Sequence, residues 1–366
     1  MSNTSAFRAI LETGIEAGAS DWHIREGSTV VLRVDAQLVE ISDFIATKEY
    51  LDRAIHDITT EKDRAKLEET GDADFAWAED EVGRFRVNLH KQRGLRALTM
   101  RHIKDKVPPL EGLGLPPVIN QLAESERGII LVTGTTGSGK STTLACMLQF
   151  MNANFARHII TIEDPIEYTF HDQKSIFEQR EVGLDTISFN SALVAALRQD
   201  PDVIVVGEMR RAESFDAALT AADTGHLVMS TLHTSNAAQS IQRILDFYPT
   251  DDRKEILSAL ATNLRAIICQ RLMPRAMGRG VVPGLEIMIN TPVVKKLLEE
   301  DRVNSLGAAI EASTGDGMIS FNQCLLGLVN KGLITEEVAL ERATNPEALR
   351  MNLKGIFLGT DGGIIG

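Results

Sequence analysis

The densest chemistry in the sequence lies in residues 134–142, Gly-Thr-Thr-Gly-Ser-Gly-Lys-Ser-Thr. Gly134, Thr135, Thr136, Gly137, Ser138, Gly139, Lys140, Ser141 and Thr142 fit the phosphate-loop template, a glycine, four residues and Gly-Lys-Ser. Glycines let a backbone curl until its N–H groups face an anion. Lys140 can then reach the β/γ-phosphates of a nucleotide, and the Ser141 hydroxyl can ligate Mg²⁺. The bland alternative is a glycine-rich turn with no ligand, and the flanks argue against it. Residues 128–133 are a short apolar run suited to a buried parallel strand. Residues 143–151 read as a helix with Leu144, Met147, Leu148 and Met151 on one stripe. The glycines therefore sit where a strand turns into a helix, whose positive end adds to the anion site.

Three further places carry candidate chemistry. Residues 158–165 read as a buried strand ending in carboxylates, and ligands of open α/β sheets gather at the carboxyl ends of strands. Glu163 and Asp164 are placed to hold or orient a divalent cation, or else only to cap the next turn before Pro165. The run 203–206 is another buried strand, followed by Gly207-Glu208, and a carboxylate there suits a base or water-orienting role. His226 and His233 bracket a strand over 227–232, but their odd separation turns them to opposite faces, which disfavours a shared metal. His233 lies at the carboxyl end, where it could sense a γ-phosphate or be a satisfied structural histidine; spacing admits both.

These residues need a scaffold, and the chain is long enough to supply one. Its 366 residues exceed one ordinary core, so two domains are expected. Apolar residues at 43% and charged residues at 24% are those of a soluble globular protein. A net charge of −13 disfavours nucleic acid as the main substrate. Cys146, Cys269 and Cys324 are far apart with no CxxC pair, which argues against a zinc site or disulfide framework. No apolar run approaches the length of a membrane span and the start lacks a signal-peptide pattern, so a cytoplasmic location is expected.

Along the chain, Phe7, Ile10, Leu11 and Ile15 recur at helical spacing, and Leu32 and Val34 alternate with polar residues as in a strand. Residues 47–70 read as a charged helical stretch, 74–77 and 84–88 as a hairpin across 79–83, and 96–101 as a further strand. This makes a small α+β domain ending near Ile103. It carries Arg84, Arg86, Arg93, Arg96 and Arg101; most suit solvated strand faces, and one or two could neutralise charge on a transferring phosphoryl group. Pro108-Pro109, Pro116-Pro117, Gly112 and Gly114 give residues 104–117 the composition of a linker. Helices are expected over 191–198 and 216–224. Ile256, Leu257, Leu260, Leu264, Ile267 and Ile268 predict one long amphipathic helix, followed by a strand over 285–289 and a helical end from Thr291. The glycine-rich residues 359–366 are expected to fray.

Taken in order, the motifs are the phosphate loop, Ile162-Glu-Asp-Pro-Ile-Glu167, Arg180-Glu-Val-Gly-Leu-Asp-Thr186, Pro201-Asp-Val-Ile-Val-Val-Gly-Glu-Met-Arg210 and Thr224-Gly-His-Leu-Val-Met-Ser-Thr-Leu-His-Thr234. With Ala19-Ser-Asp-Trp-His23 near the start, they resemble the type IV pilus retraction ATPases, the PilT family with its close relative PilU, within the secretion ATPases. The resemblance implies a PAS-like domain over 1–103, a linker over 104–117, a RecA-like ATPase core over 118–290 and a helical region over 291–366. It implies ATP and Mg²⁺ as ligands, with Lys140 and Ser141 in the Walker A loop, Glu163 in the Asp box, Glu208 as the Walker B glutamate that activates water, and His226 and His233 as the His box. Arg86 and Arg101 resemble the N-terminal arginines that approach the γ-phosphate. The family assembles as homohexamers at the cytoplasmic face of the inner membrane, acting on pilin filaments through a polytopic platform protein.

Some positions depart from the pattern. Arg211 stands where an acidic residue is common, Met229-Ser230 replaces Phe-Gly, and Gln92-Arg-Gly94 shortens a longer motif. Gly183-Leu-Asp-Thr186, Leu197-Arg-Gln199 and Phe247-Tyr-Pro249 are closer to PilU, whose members can work as accessories of a paralogous retraction ATPase. Pilus assembly and type II secretion ATPases typically carry an extra N-terminal domain and a tetracysteine zinc insert, and neither is expected here. A nucleic-acid translocase is at odds with the charge, and a non-hydrolysing scaffold with the presence of Glu208.

Overall fold

In a computed structural model, residues 3–34, 37–103, 106–278, 280–358 and 364–365 are described. Two compact units form, one from residues 1–106 with 165–169, the other from residues 107–164 and 170–366.

In the first unit, the apolar stripe Phe7, Ile10 and Leu11 folds helix α1 (Asn3–Glu16) onto its core. Six strands follow: β1 (Ala19–Arg25), β2 (Thr29–Val34), β3 (Gln37–Ile45), β4 (Asp72–Glu79), β5 (Gly83–Gln92) and β6 (Leu95–Ile103). They form one antiparallel sheet in the order β3-β2-β1-β6-β5-β4. Alternation in β5 buries Phe85, Val87 and Leu89 and turns Arg86 to the opposite face. The β4–β5 hairpin closes where its residue pattern predicts, with Glu79 opposite Gly83. The charged helical stretch 47–70 is made of two helices, α2 (Lys48–Ile58) and α3 (Glu61–Thr70). Thr59 leaves the helical conformation, and Thr60 starts α3 through a capping box with Asp63, so local caps divide the stretch.

The second unit is built on a seven-stranded sheet. Its strands are β7 (Gly128–Thr133), β8 (His158–Glu163), β9 (Ile176–Glu181), β10 (Val203–Val206), β11 (Leu227–Leu232), β12 (Leu264–Pro274) and β13 (Val281–Ile289), in the order β13-β12-β7-β11-β10-β8-β9. All neighbours are parallel except β12 and β13. β7, β10 and β11 are buried along their whole length, as strands with helices on both faces must be. The fold class is thus mixed α/β, a small α+β unit and a unit built on a largely parallel sheet, with helices over most of residues 292–353.

One expected element is wrong. The long helix over 256–268 ends at Asn263, and Leu264 turns extended to begin β12. The apolar spacing fits a helix, but Ala266, Ile267, Ile268 and Cys269 form an unbroken buried run between β7 and β13. A strand covered on both faces demands such a run, and it outweighs the helical period. The fraying expected over 359–366 falls largely on residues outside those described; among the described residues, 357–358 pair with 364–365. Among the described residues no helix is long and apolar enough to cross a membrane.

Candidate active site

The phosphate loop joins β7 to the helix Lys140–Asn154. Gly134 and Gly139 have positive φ values of 151° and 85°, and both lie against β12. A Cβ on Gly134 would stand 2.4 Å from the Gln270 carbonyl oxygen, and one on Gly139 would stand 2.6 Å from the Gln270 Nε2. Only glycine tolerates both the conformation and the approach. Gln270 is buried, and its Oε1 accepts a hydrogen bond from Thr143 Oγ1 at 2.7 Å. It therefore braces the loop and the first turn of the loop helix together. Lys140 is 8% exposed and donates to the carbonyls of Gly134 at 2.9 Å and Thr135 at 3.0 Å. Ser141 and Thr142 are half-buried in the first helical turn, and Thr135, Thr136 and Gly137 are exposed at the loop tip. The Ser138 hydroxyl is buried and makes no hydrogen bond with the protein.

On β10 and β8, with β11 between them and β7, sheet register sets the two carboxylate positions side by side. The Gly207 N–H donates to the Ile162 carbonyl at 2.8 Å, so the chain leaving β10 runs beside the end of β8. Thr231 Oγ1 ties the Gly207 carbonyl to β11 at 2.6 Å. Glu163 Oε1 accepts from Thr161 Oγ1 at 2.6 Å and from Gln179 Nε2 at 3.4 Å. Glu208 pairs with Arg210 at 2.5 Å, and its other oxygen lies 3.8 Å from His233 Nε2. Burial lowers the His233 pKa below its ordinary value, the positive charges of Lys140 and Arg210 lower it further, and Glu208 opposes them. Lys140, Glu208, Arg210 and His233 thus share one electrostatic neighbourhood. Arg210 follows Glu208 in a quoted motif, but sequence reasoning gave it no role; its i+2 spacing from the glutamate is the signal.

His226 is not brought to this place. It precedes β11 at the amino end, where its Nδ1 lies 2.9 Å from the Ala221 carbonyl and 3.0 Å from Thr224 Oγ1. His233 lies seven positions further on, roughly 23 Å of extended strand at about 3.3 Å per residue.

Arg86 and Arg101 belong to the first unit, directly opposite each other across β5 and β6. Two like charges in such a pair repel. Asp21, opposite Arg101 on β1 and only 5% exposed, relieves this by accepting from Arg101 Nε at 2.8 Å. The Ser20 hydroxyl holds the other Asp21 oxygen at 2.7 Å. With His102, Ile103 and Pro165, Ile166, Glu167 and Tyr168, all of that unit, the two arginines line a cleft of about 210 Å³. Arg96 instead pairs with Asp52 at 2.7 Å on the surface. Sequence reasoning quoted Asp21 in a motif without a function.

A phosphate loop at a strand-to-helix turn, with glutamates and a histidine on the neighbouring strand ends, defines a P-loop ATPase. Residues 4–282 match the type II/IV secretion system protein family, and the chain belongs to it. It is a nucleotide-binding ATPase. The chain is 43% identical to the type IV pilus retraction ATPase PilT of Pseudomonas aeruginosa, over 92% of this chain and 98% of that protein. It is 39% identical to the type IV pilus ATPase PilU of the same organism, over 95% of this chain and 91% of that one. A crystal structure of the pilus retraction motor PilT with bound ADP superposes with a TM-score of 0.87 at 43% identity, covering 93% of this chain and 97% of that one.

Proposed function

We propose that this chain is the subunit of a homohexameric motor that hydrolyses ATP to retract type IV pili. The gathering of Lys140, Glu208 and His233 at the strand ends carries the chemical part of this reading. The 43% identity with PilT over almost its whole length carries the biological part.

In the proposed reaction, loop N–H groups and Lys140 hold the β- and γ-phosphates. The buried, unpaired Ser138 hydroxyl fits a site for phosphate oxygens. Ser141 and Glu163 offer the hard oxygen donors that Mg²⁺ prefers, and the bound ion would offset phosphate charge. Glu208 takes a proton from, or orients, the attacking water. His233, neutral beside Lys140, donates to or senses the γ-phosphate. Arg86 and Arg101 neutralise charge on the transferring group, a role worth about 10³–10⁵ in rate where it operates. His226 has no part in this set, because it lies at the far end of its strand. A peripheral position at the cytoplasmic face of the inner membrane, on a platform protein, follows from the same reading.

Two experiments test it. The Glu208→Gln protein should bind ATP and lose turnover; hydrolysis at the rate of the unmodified protein would refute the assigned role. Cells lacking the gene should be hyperpiliated and fail to twitch. Unchanged pili would replace the motor reading with an accessory one dependent on a paralogous retraction ATPase.

A further inference from the structure

Two charged side chains of the β12–β13 hairpin have no place in the proposed chemistry. Arg271 on β12 is half-buried, and Glu286 on β13 is 7% exposed. Burial pushes the Glu286 carboxyl up, and the backbone N–H groups that donate to it and the Arg271 charge oppose this. Each side chain holds the same two parts of the second unit. Arg271 donates Nη2–H to the Ser235 carbonyl at 3.3 Å and Nη1–H to the Arg342 carbonyl at 2.5 Å. Its guanidinium also lies 3.8 Å over the ring of Phe321. Glu286 Oε1 accepts the Ala237 N–H at 2.8 Å, and the Phe321 N–H also faces this carboxylate.

Ser235 and Ala237 belong to the segment that follows His233. Phe321 begins the helix Phe321–Asn330, and Arg342 ends the helix Glu336–Arg342. The arginine thus takes the carbonyls and the glutamate the N–H groups, each spanning from the histidine segment to the C-terminal helices. Those helices, the turn between them and the helix Pro346–Leu353 share one core with the hairpin, in which Leu325, Ile334, Ala339 and Leu349 cluster with Met273 and Val282. They lie beyond residues 4–282, the part that matches the family.

We propose that Arg271 and Glu286 are positioning residues that fix His233 through its following segment, and that they make its placement depend on the C-terminal helices. The proposal rests on the reading of His233 as a γ-phosphate sensor. A misplacement of about 1 Å in a catalytic group can cost about 10²-fold. A guanidinium that bridges two carbonyls and stacks on a ring cannot be replaced by an ammonium.

The test uses the full chain, with steady-state ATP hydrolysis and thermal unfolding measured on each variant. His233→Gln tests the sensor reading alone, and an unchanged kcat there would remove it together with the proposal. If His233→Gln lowers kcat, Arg271→Lys should lower kcat about tenfold with KM for ATP within about twofold. Glu286→Leu removes the acceptor of the Ala237 and Phe321 N–H groups and should match Arg271→Lys. Asn322→Ala loosens the turn after Arg342, because Asn322 bonds the backbone of Thr344 and Asn345. Its effect on kcat should not add to that of Arg271→Lys, since both act along one chain of contacts. An unchanged kcat in Arg271→Lys or Glu286→Leu overturns the proposal. So does a loss that tracks only the unfolding temperature, or additive effects of Arg271→Lys and Asn322→Ala.

Discussion

Burial makes His233 resist protonation, the charges of Lys140 and Arg210 add to the effect, and Glu208 opposes them. The folded pKa of His233 is below the ordinary value of about 6.5 of the unfolded chain. Between the two values the unfolded chain binds the extra proton, so stability rises with pH through that window and falls as pH drops below about 6.5. The side chain is 54% exposed, so solvent screens much of the effect. Urea midpoints at pH 7.5 and 5.5 should differ less in His233→Gln than in the unmodified protein; equal differences would contradict the electrostatic neighbourhood described. Asp21 supports a second prediction at this scale. Asp21→Asn weakens the hold on Arg101 and leaves it against Arg86. If these arginines serve the phosphoryl group, kcat should fall by about tenfold, as measured by steady-state hydrolysis. An unaltered kcat would make their pairing purely structural.

β12 is the element on which the site depends and which sequence periodicity misplaces. Through Gln270 it braces both ends of the phosphate loop, and through Arg271 it reaches the histidine segment. Gln270→Leu keeps the bulk and removes the acceptor of the Thr143 hydroxyl. A buried hydroxyl left unpaired costs about 1–3 kcal/mol, which should show as a lower urea midpoint together with weaker ATP binding. Unchanged ATP affinity would detach Gln270 from the loop. The strands at β7, β8, β10 and β11 were legible because apolar runs end in chemistry-bearing residues, as at Gly134, Glu163, Glu208 and His233. β12 was not, because Leu264, Ile267 and Ile268 continue the spacing of the preceding helix and no glycine or proline marks the change. Cross-strand partners were equally hidden. Nothing near Arg101 in the chain announces Asp21, which antiparallel pairing brings from 80 residues away.

At the scale of the whole molecule, motif order and sheet order agree on a phosphate-handling enzyme. The chain does not pass from one unit to the other once. It crosses after Lys106, again after Asp164, and back after Thr169. The five-residue excursion begins two positions beyond Glu163 and supplies Pro165, Ile166, Glu167 and Tyr168 to the wall of the arginine cleft. The first unit is therefore not a detachable N-terminal piece. A fragment expressed as residues 1–106 would lack one side of that cleft, and its arginines would face a gap that only the remainder of the polypeptide can fill.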